Sequence, residues 1–232
     1  MNHITKESIY PADAWDILHK QLTEKRQEKL LSRSQQRTSH IRLVLQDIHH
    51  PHNVSACLRS AEAFGIQKVD IISDKKSFRP TTVAKGVSSW LDITVHYQIS
   101  DYAKSIKEKG YKLYAGMPSD TSQPLEKVDV DQPLAILFGN EKHGVYDEWL
   151  PHLDGMFTIP MSGFVESLNI SVSAAITLHY LTNKAKDHLR ENYFLSNCER
   201  AKVLNQWSCQ NLPSWETMYR ALKDRKINST HC

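Results

Sequence analysis

Three stretches of this chain hold polar side chains at spacings that could do chemistry. The first runs His52-Asn53-Val54-Ser55-Ala56-Cys57-Leu58-Arg59-Ser60-Ala61 and on to Gly65. Asn53 stands where a helix N-cap would, its side-chain oxygen able to accept a backbone N–H. Arg59 follows among small residues (Ser55, Ala56, Ser60, Ala61, Ala63) that imply close packing. A guanidinium held there is costly unless it meets an anion; otherwise it snorkels outward from an ordinary capped helix. The second stretch is Leu134–Phe138 followed by Gly139-Asn140-Glu141-Lys142-His143-Gly144. A strand that runs into a glycine-bounded loop is where α/β sheets bind ligands, and glycine lets backbone polar groups approach a ligand edge. The third is Phe157-Thr158-Ile159-Pro160-Met161, a short loop, then Ser167-Leu168-Asn169-Ile170-Ser171. Ser167 and Asn169 would open a helix there, and capping alone accounts for either one. His49, His50 and His52 crowd one loop, but no acidic or sulfur ligand follows at workable spacing, so no metal site is expected. No GxGxxG follows the first strand, and there is no Walker loop, GxSxG or HExxH.

The elements that must position these residues alternate along the chain. Residues 14–37 are rich in Leu, Gln, Lys, Arg and Glu and read as one or two basic helices. IRLVLQ (41–46) reads as a strand, 54–64 as a helix stopped by Gly65, and 69–72 and 91–97 as strands. A helix over 102–109 ends at Gly110; strands follow at 111–115 and 134–138, a helix at 146–153 and a last strand at 156–159. The helix over 168–183 is apolar on nearly all sides, as a buried core or interface helix would be. Two more helices should start near Ser196 and Ser214, with Glu199 and Glu216 in their first turns. Strands alternating with helices at this spacing predict an α/β domain with a mostly parallel sheet. Its expected span is 38–186, between basic helical extensions over 1–37 and 187–232.

Composition narrows the function. The chain has 232 residues, 40% hydrophobic and 24% charged, an ordinary globular balance. The longest clean apolar run is only Leu134–Phe138, far short of a bilayer span, and Met1–Tyr10 has no apolar signal region. The four cysteines (Cys57, Cys198, Cys209, Cys232) form no CxxC pair, so reduced thiols in a cytoplasmic protein are expected rather than a zinc ribbon. The net charge of +3 hides an asymmetry, because an acidic middle is flanked by two basic ends. Such ends fit a polyanion, with nucleic acid the first choice.

Taken together, the three stretches resemble the SpoU family of RNA ribose 2′-O-methyltransferases, within the SPOUT class. The family's motifs appear in order: N-x-x-A-x-x-R-S-A-x-x-F-G from Asn53 to Gly65, G-x-E-x-x-G from Gly139 to Gly144, and I-P-M…S-L-N-I-S-x-S-A from Ile159 to Ala174. Ser88-Ser89-Trp90 ahead of a strand, and a short basic helix ahead of the first strand, are similar to members that act on tRNA. The resemblance implies methylation of the ribose 2′-OH of guanosine-18 in the tRNA D-loop, with S-adenosyl-L-methionine as donor and S-adenosyl-L-homocysteine as product. Ribosomal RNA, another tRNA position, or RNA binding without catalysis are the alternatives. It further implies a deep C-terminal trefoil knot, which general topology rules would not suggest, and a homodimer built around it. Residue by residue, Asn53, Arg59, Glu141, Ser167 and Asn169 take the catalytic-motif positions. Gly116, Ile159 and Leu168 fall where members hold the cofactor, with Gly139 and Met161 lining the same loops. Arg26, Arg33, Arg37 and His52 are then expected on tRNA. Members commonly end the knot helix in an arginine-rich run, whereas here it reads Asn183-Lys184-Ala185-Lys186.

Overall fold

The computed structural model describes residues 9–73 and 86–229. Met1–Ser8 and Cys232, which figure in the sequence reading, lie outside the described residues. The chain forms two compact units: one runs from Thr38 to Phe194, and the other joins the residues up to Arg37 with those from Leu195 onward. The extensions expected at opposite ends of the sequence therefore belong to one unit, and the boundary falls after Phe194 rather than at 186.

The larger unit is built on a sheet of seven strands, all parallel, in the order β3-β2-β1-β6-β4-β7-β5. The strands are β1 Ile41–Gln46, β2 Lys68–Ile72, β3 Asp92–His96, β4 Lys112–Gly116, β5 Gln123–Pro124, β6 Leu134–Phe138 and β7 Gly155–Thr158. β1 and β6 are buried at every position and pair from Ile41↔Leu134 to Leu45↔Phe138. That is why β6 reads as a continuous apolar run and β1 as a mostly apolar one: a parallel strand covered on both faces has little use for polar side chains, and those of β1, Arg42 and Gln46, are buried on partners. Alternate residues of β1 feed two cores. Ile41, Leu43 and Leu45 meet α3 (Pro51–Ala63) and the long α5 (Ile170–Leu189); Val44 meets α4 (Ile99–Glu108) and Trp149.

Most expected elements appear, with informative differences. α3 begins at Pro51 with His50 as N-cap, three residues earlier than the sequence reading placed it. Proline's fixed φ suits the first helical turn, so Asn53 is inside the helix and is not its cap. The helix expected over 146–153 is a 3₁₀ stretch, Asp147–His152, with Pro151 inside it removing an N–H. α5 runs on to Leu189, and two of its apolar side chains, Val172 and Ile176, are exposed. The two-residue strand β5 escaped the sequence reading; it carries Pro124 at the sheet's edge, the place where a strand tolerates proline.

The second unit consists of α1 (Ala14–Leu18), α2 (Glu24–Ser34), α6 (Asn197–Gln210) and α7 (Trp215–Ser229). Ala14, Ile17, Leu18 and Cys209 form its core, with Trp215 and Met218 packed against them. α6 starts where expected: Ser196 and Glu199 form a capping box that satisfies donors at both N-cap and N3. No helix among the described residues is long and apolar enough to cross a membrane.

Candidate active site

The three motifs meet through a hydrogen-bonded relay. Glu141 lies in the loop after β6. Its Oε2 accepts the His49 backbone N–H at 2.8 Å, and its Oε1 accepts the His50 N–H at 3.2 Å and the Asn53 Nδ2 at 2.9 Å. Asn169 Nδ2 donates in turn to Asn53 Oδ1 at 3.3 Å. The Asn169 Oδ1 accepts from Ser171 N at 2.8 Å, which makes Asn169 the N-cap of α5, as its position in the sequence suggested. Pro51 starts α3 early, and this is what frees the Asn53 amide to bridge the second and third motifs.

The same bonds set the charge on Glu141. Burial by itself would raise its pKa, but the Asn53 amide and the His49 and His50 N–H groups more than offset this and hold it below the ordinary value. A carboxylate with depressed pKa and three donors is a poor general base and a good anchor. Cys57, one turn further along α3, is buried, and burial pushes its thiol up to about 12, so it is no nucleophile near neutrality.

Beside the relay lies a cavity of about 430 Å³, within the size range of small-molecule sites. It opens at the carboxyl ends of three adjacent strands, marked by Gly116 (β4), Phe138 (β6) and Thr158 (β7), as expected for a ligand site in a parallel sheet. All five residues expected to hold a cofactor, Gly116, Gly139, Ile159, Met161 and Leu168, line it, and so do Glu141, Ser167 and Asn169. Two glycines are required by shape. A Cβ on Gly139 would stand 2.3 Å from the Gly144 backbone, and one on Gly116 would stand 2.9 Å from the Phe138 ring. The walls combine Phe138, Phe157 and Leu168 with the carboxylate of Glu166. A flat apolar ring joined to a positively charged group fits that lining.

The remaining expected residues are placed differently. Arg59 is exposed on α3, about 9 Å beyond Asn53 along the helix axis. It does not line the cavity and makes no ion pair among the described residues, so the outward, snorkelling alternative is the one observed. His52 and Arg33 are exposed. Arg26 Nε donates to Asn211 Oδ1 at 2.7 Å. Arg37 corrects an expectation: it is only 3% exposed, with its guanidinium 5.6 Å from the Trp207 ring centre, and is not placed to grip a phosphate. The lysines at the end of α5 are likewise engaged. Lys184 donates to the Glu126 and Val128 carbonyls at 2.8 and 2.7 Å, and Lys186 lies 5.6 Å from the Phe194 ring centre.

Sequence reasoning missed Gln46 and Asn140. Gln46 ends β1 fully buried and bonds the loop that carries Glu141. Asn140 Oδ1 accepts the Lys142 and His143 N–H groups, and its Nδ2 donates to the Asp47 carbonyl at 2.6 Å. The available signal was a glutamine closing a strand that is otherwise apolar apart from Arg42.

Comparison with known proteins agrees with this geometry. Residues 40–179 match the model of the SpoU rRNA Methylase family. The tRNA (guanosine(18)-2′-O)-methyltransferase of Escherichia coli K12 is 34% identical over 164 residues, covering 69% of this chain and 72% of that protein. The protein of the same name from Borreliella burgdorferi is 31% identical over 210 residues, covering 84% and 94%. The crystal structure of the A. aeolicus TrmH/SpoU tRNA modifying enzyme superposes with a TM-score of 0.72 at 26% identity, over 82% of this chain and 98% of that one. With its matched domain spanning more than half its length and all three motifs joined in one site, the chain belongs to the SpoU methylase family.

Proposed function

We propose that this protein methylates the ribose 2′-OH of guanosine-18 in tRNA. The observation that carries the reading is the Glu141–Asn53–Asn169 relay at the edge of the cavity, which ties all three family motifs into one site. The names of the relatives supply the nucleoside. S-adenosyl-L-methionine would be held by Gly116, Gly139, Ile159, Met161 and Leu168; when bound it supplies a methyl group activated by a positive sulfur. The apolar walls suit its adenine, and Glu166 suits a cationic group.

The chain's own residues then serve the acceptor. A ribose hydroxyl is a weak nucleophile until its proton leaves or its developing charge is stabilised. Arginine hardly ever deprotonates in proteins, so Arg59 acts as an electrostatic group: it binds the adjacent phosphate and favours the oxyanion. Asn53, fixed by Glu141, orients the ribose, and Ser167 and Asn169 shape the floor on which it rests. Exposed Arg33, with Lys25 and Lys29 on the same helix, contacts tRNA phosphates, and His52 lies close to the reacting nucleotide.

The protein acts as a homodimer in the cytoplasm, and the chain carries the trefoil knot of its class. Support for the dimer comes from apolar side chains left exposed: Phe164 and Val165 in the loop before α5, and Val172 and Ile176, one turn apart on α5. The test is a tRNA transcript with 2′-deoxyguanosine at position 18. With labelled cofactor, the all-ribose transcript should be methylated and the deoxy transcript should not. Equal labelling of both would refute the assignment of the site.

A further inference from the structure

We propose that Gln46 is a positioning residue for methyl transfer: its buried amide clamps the Gly139–Val145 loop to the end of β1 and so sets where Glu141 meets Asn53. The proposal rests on reading this site as a methyltransferase centre and adds a residue outside the family motifs.

Gln46 occupies the last position of a strand whose other residues are mostly aliphatic, and it is fully buried. A hydrocarbon would fill that place at lower cost, because an amide taken out of water must recover its hydrogen bonds. Gln46 recovers them from one loop alone. Its Nε2 donates to the Gly144 carbonyl at 3.2 Å, and its Oε1 accepts the Tyr146 N–H at 3.0 Å. Between those points the loop is closed on itself, since Asn140 and Gly144 exchange backbone hydrogen bonds of 2.9 Å in both directions. The far side of the turn is tied down by Asn140 Nδ2 on the carbonyl of Asp47, the next residue after Gln46.

The loop is thus gripped twice by consecutive residues at the end of β1. The same segment continues to His49 and His50, whose N–H groups hold the Glu141 carboxylate. Gln46 and Asp47 fix the loop's backbone, the histidine N–H groups fix its carboxylate, and Asn53 reads the result. Gln46 is part of neither the relay nor the cavity lining, and meets the lining only at the Gly144 carbonyl, so it acts through the loop.

The test compares Gln46→Leu and Gln46→Glu with the wild type. Leucine removes both bonds while filling the space. A glutamate oxygen, neutral or ionised, still accepts the Tyr146 N–H. Amide hydrogen exchange reads the clamp without reference to activity. In Gln46→Leu, exchange across 140–146 should quicken about tenfold or more while β1 and α5 stay protected. Turnover on tRNA should fall roughly tenfold to a hundredfold, since a small misplacement of reacting groups is that costly, with little change in KM for tRNA. Gln46→Glu should recover part of both losses. Unchanged exchange in this loop would overturn the proposal, and so would faster exchange with turnover within about twofold of wild type. If the wild type methylates no tRNA, the functional reading fails, and the exchange data still decide the clamp.

Discussion

Arg59 and Glu141 carry opposite charges and opposite tasks. Glu141 is committed to three donors, whereas Arg59 is exposed and makes no ion pair among the described residues. Arg59→Ala should therefore cut turnover by about 100-fold or more, the order seen when one group stabilising a developing oxyanion is lost. S-adenosylhomocysteine affinity, read by calorimetry, should hardly change. Near wild-type turnover would remove Arg59 from the mechanism. Asn53→Asp places a second carboxylate against Glu141, so like charges meet across 2.9 Å. Single-turnover methylation should slow sharply, with the loss greatest above the carboxylate range, where both groups are ionised. At this scale the sequence was informative about identity and poor about geometry. The motifs named Asn53, Glu141 and Asn169, but nothing in their spacing said that Asn53 would bond Glu141 rather than cap its helix, because that depends on where Pro51 starts the turn.

At the scale of elements, β1 to β3 and α4 are tied together by one buried acid. Asp70 on β2 is 1% exposed and accepts from Arg42 at 2.6 Å, His96 at 3.0 Å and Tyr102 at 3.1 Å. Burial would raise its pKa, yet its His96 and Arg42 partners hold it below the ordinary value. A carboxylate with a depressed folded pKa contributes stability that is present above the unfolded value and lost as pH falls through the folded one. Wild-type stability should thus drop below about pH 4. Asp70→Asn should cost about 3–5 kcal/mol near neutrality, by leaving Arg42 buried without its anion, and should weaken the acid dependence. Urea unfolding from about pH 3, within the carboxylate range, to about pH 8, where carboxylates are fully ionised, checks both. The elements themselves were largely legible. β1 and β6 declared themselves as apolar runs, and Ser196 with Glu199 announced the start of α6. The 3₁₀ turn at Asp147–His152 was not legible, because a periodic pattern does not separate it from a short α-helix. Neither was β5, whose two residues are a strand only by virtue of β7 beside them.

At the scale of the molecule, sequence ends and spatial units differ. The two basic ends fold into one unit, which sequence order alone could not reveal. Arg37 and Lys184, both cationic in sequence, are spent on Trp207 and on loop carbonyls. The charge available for RNA is therefore smaller than a count of basic residues implies. Arg33→Ala should weaken tRNA binding and lower the slope of log affinity against log salt by about one, while Arg37→Ala should act mainly on stability. Phe164→Asp together with Ile176→Asp should shift the protein to monomer in sedimentation experiments, because a charge at an apolar contact is left without a partner. The central claim is tested most directly by incubating the purified protein with labelled S-adenosyl-L-methionine and unmodified tRNA transcripts, then mapping the methylated nucleoside. The account predicts 2′-O-methylguanosine at position 18 of the D-loop. Unlabelled tRNA, a methyl group at another nucleotide, or one on a base would contradict it.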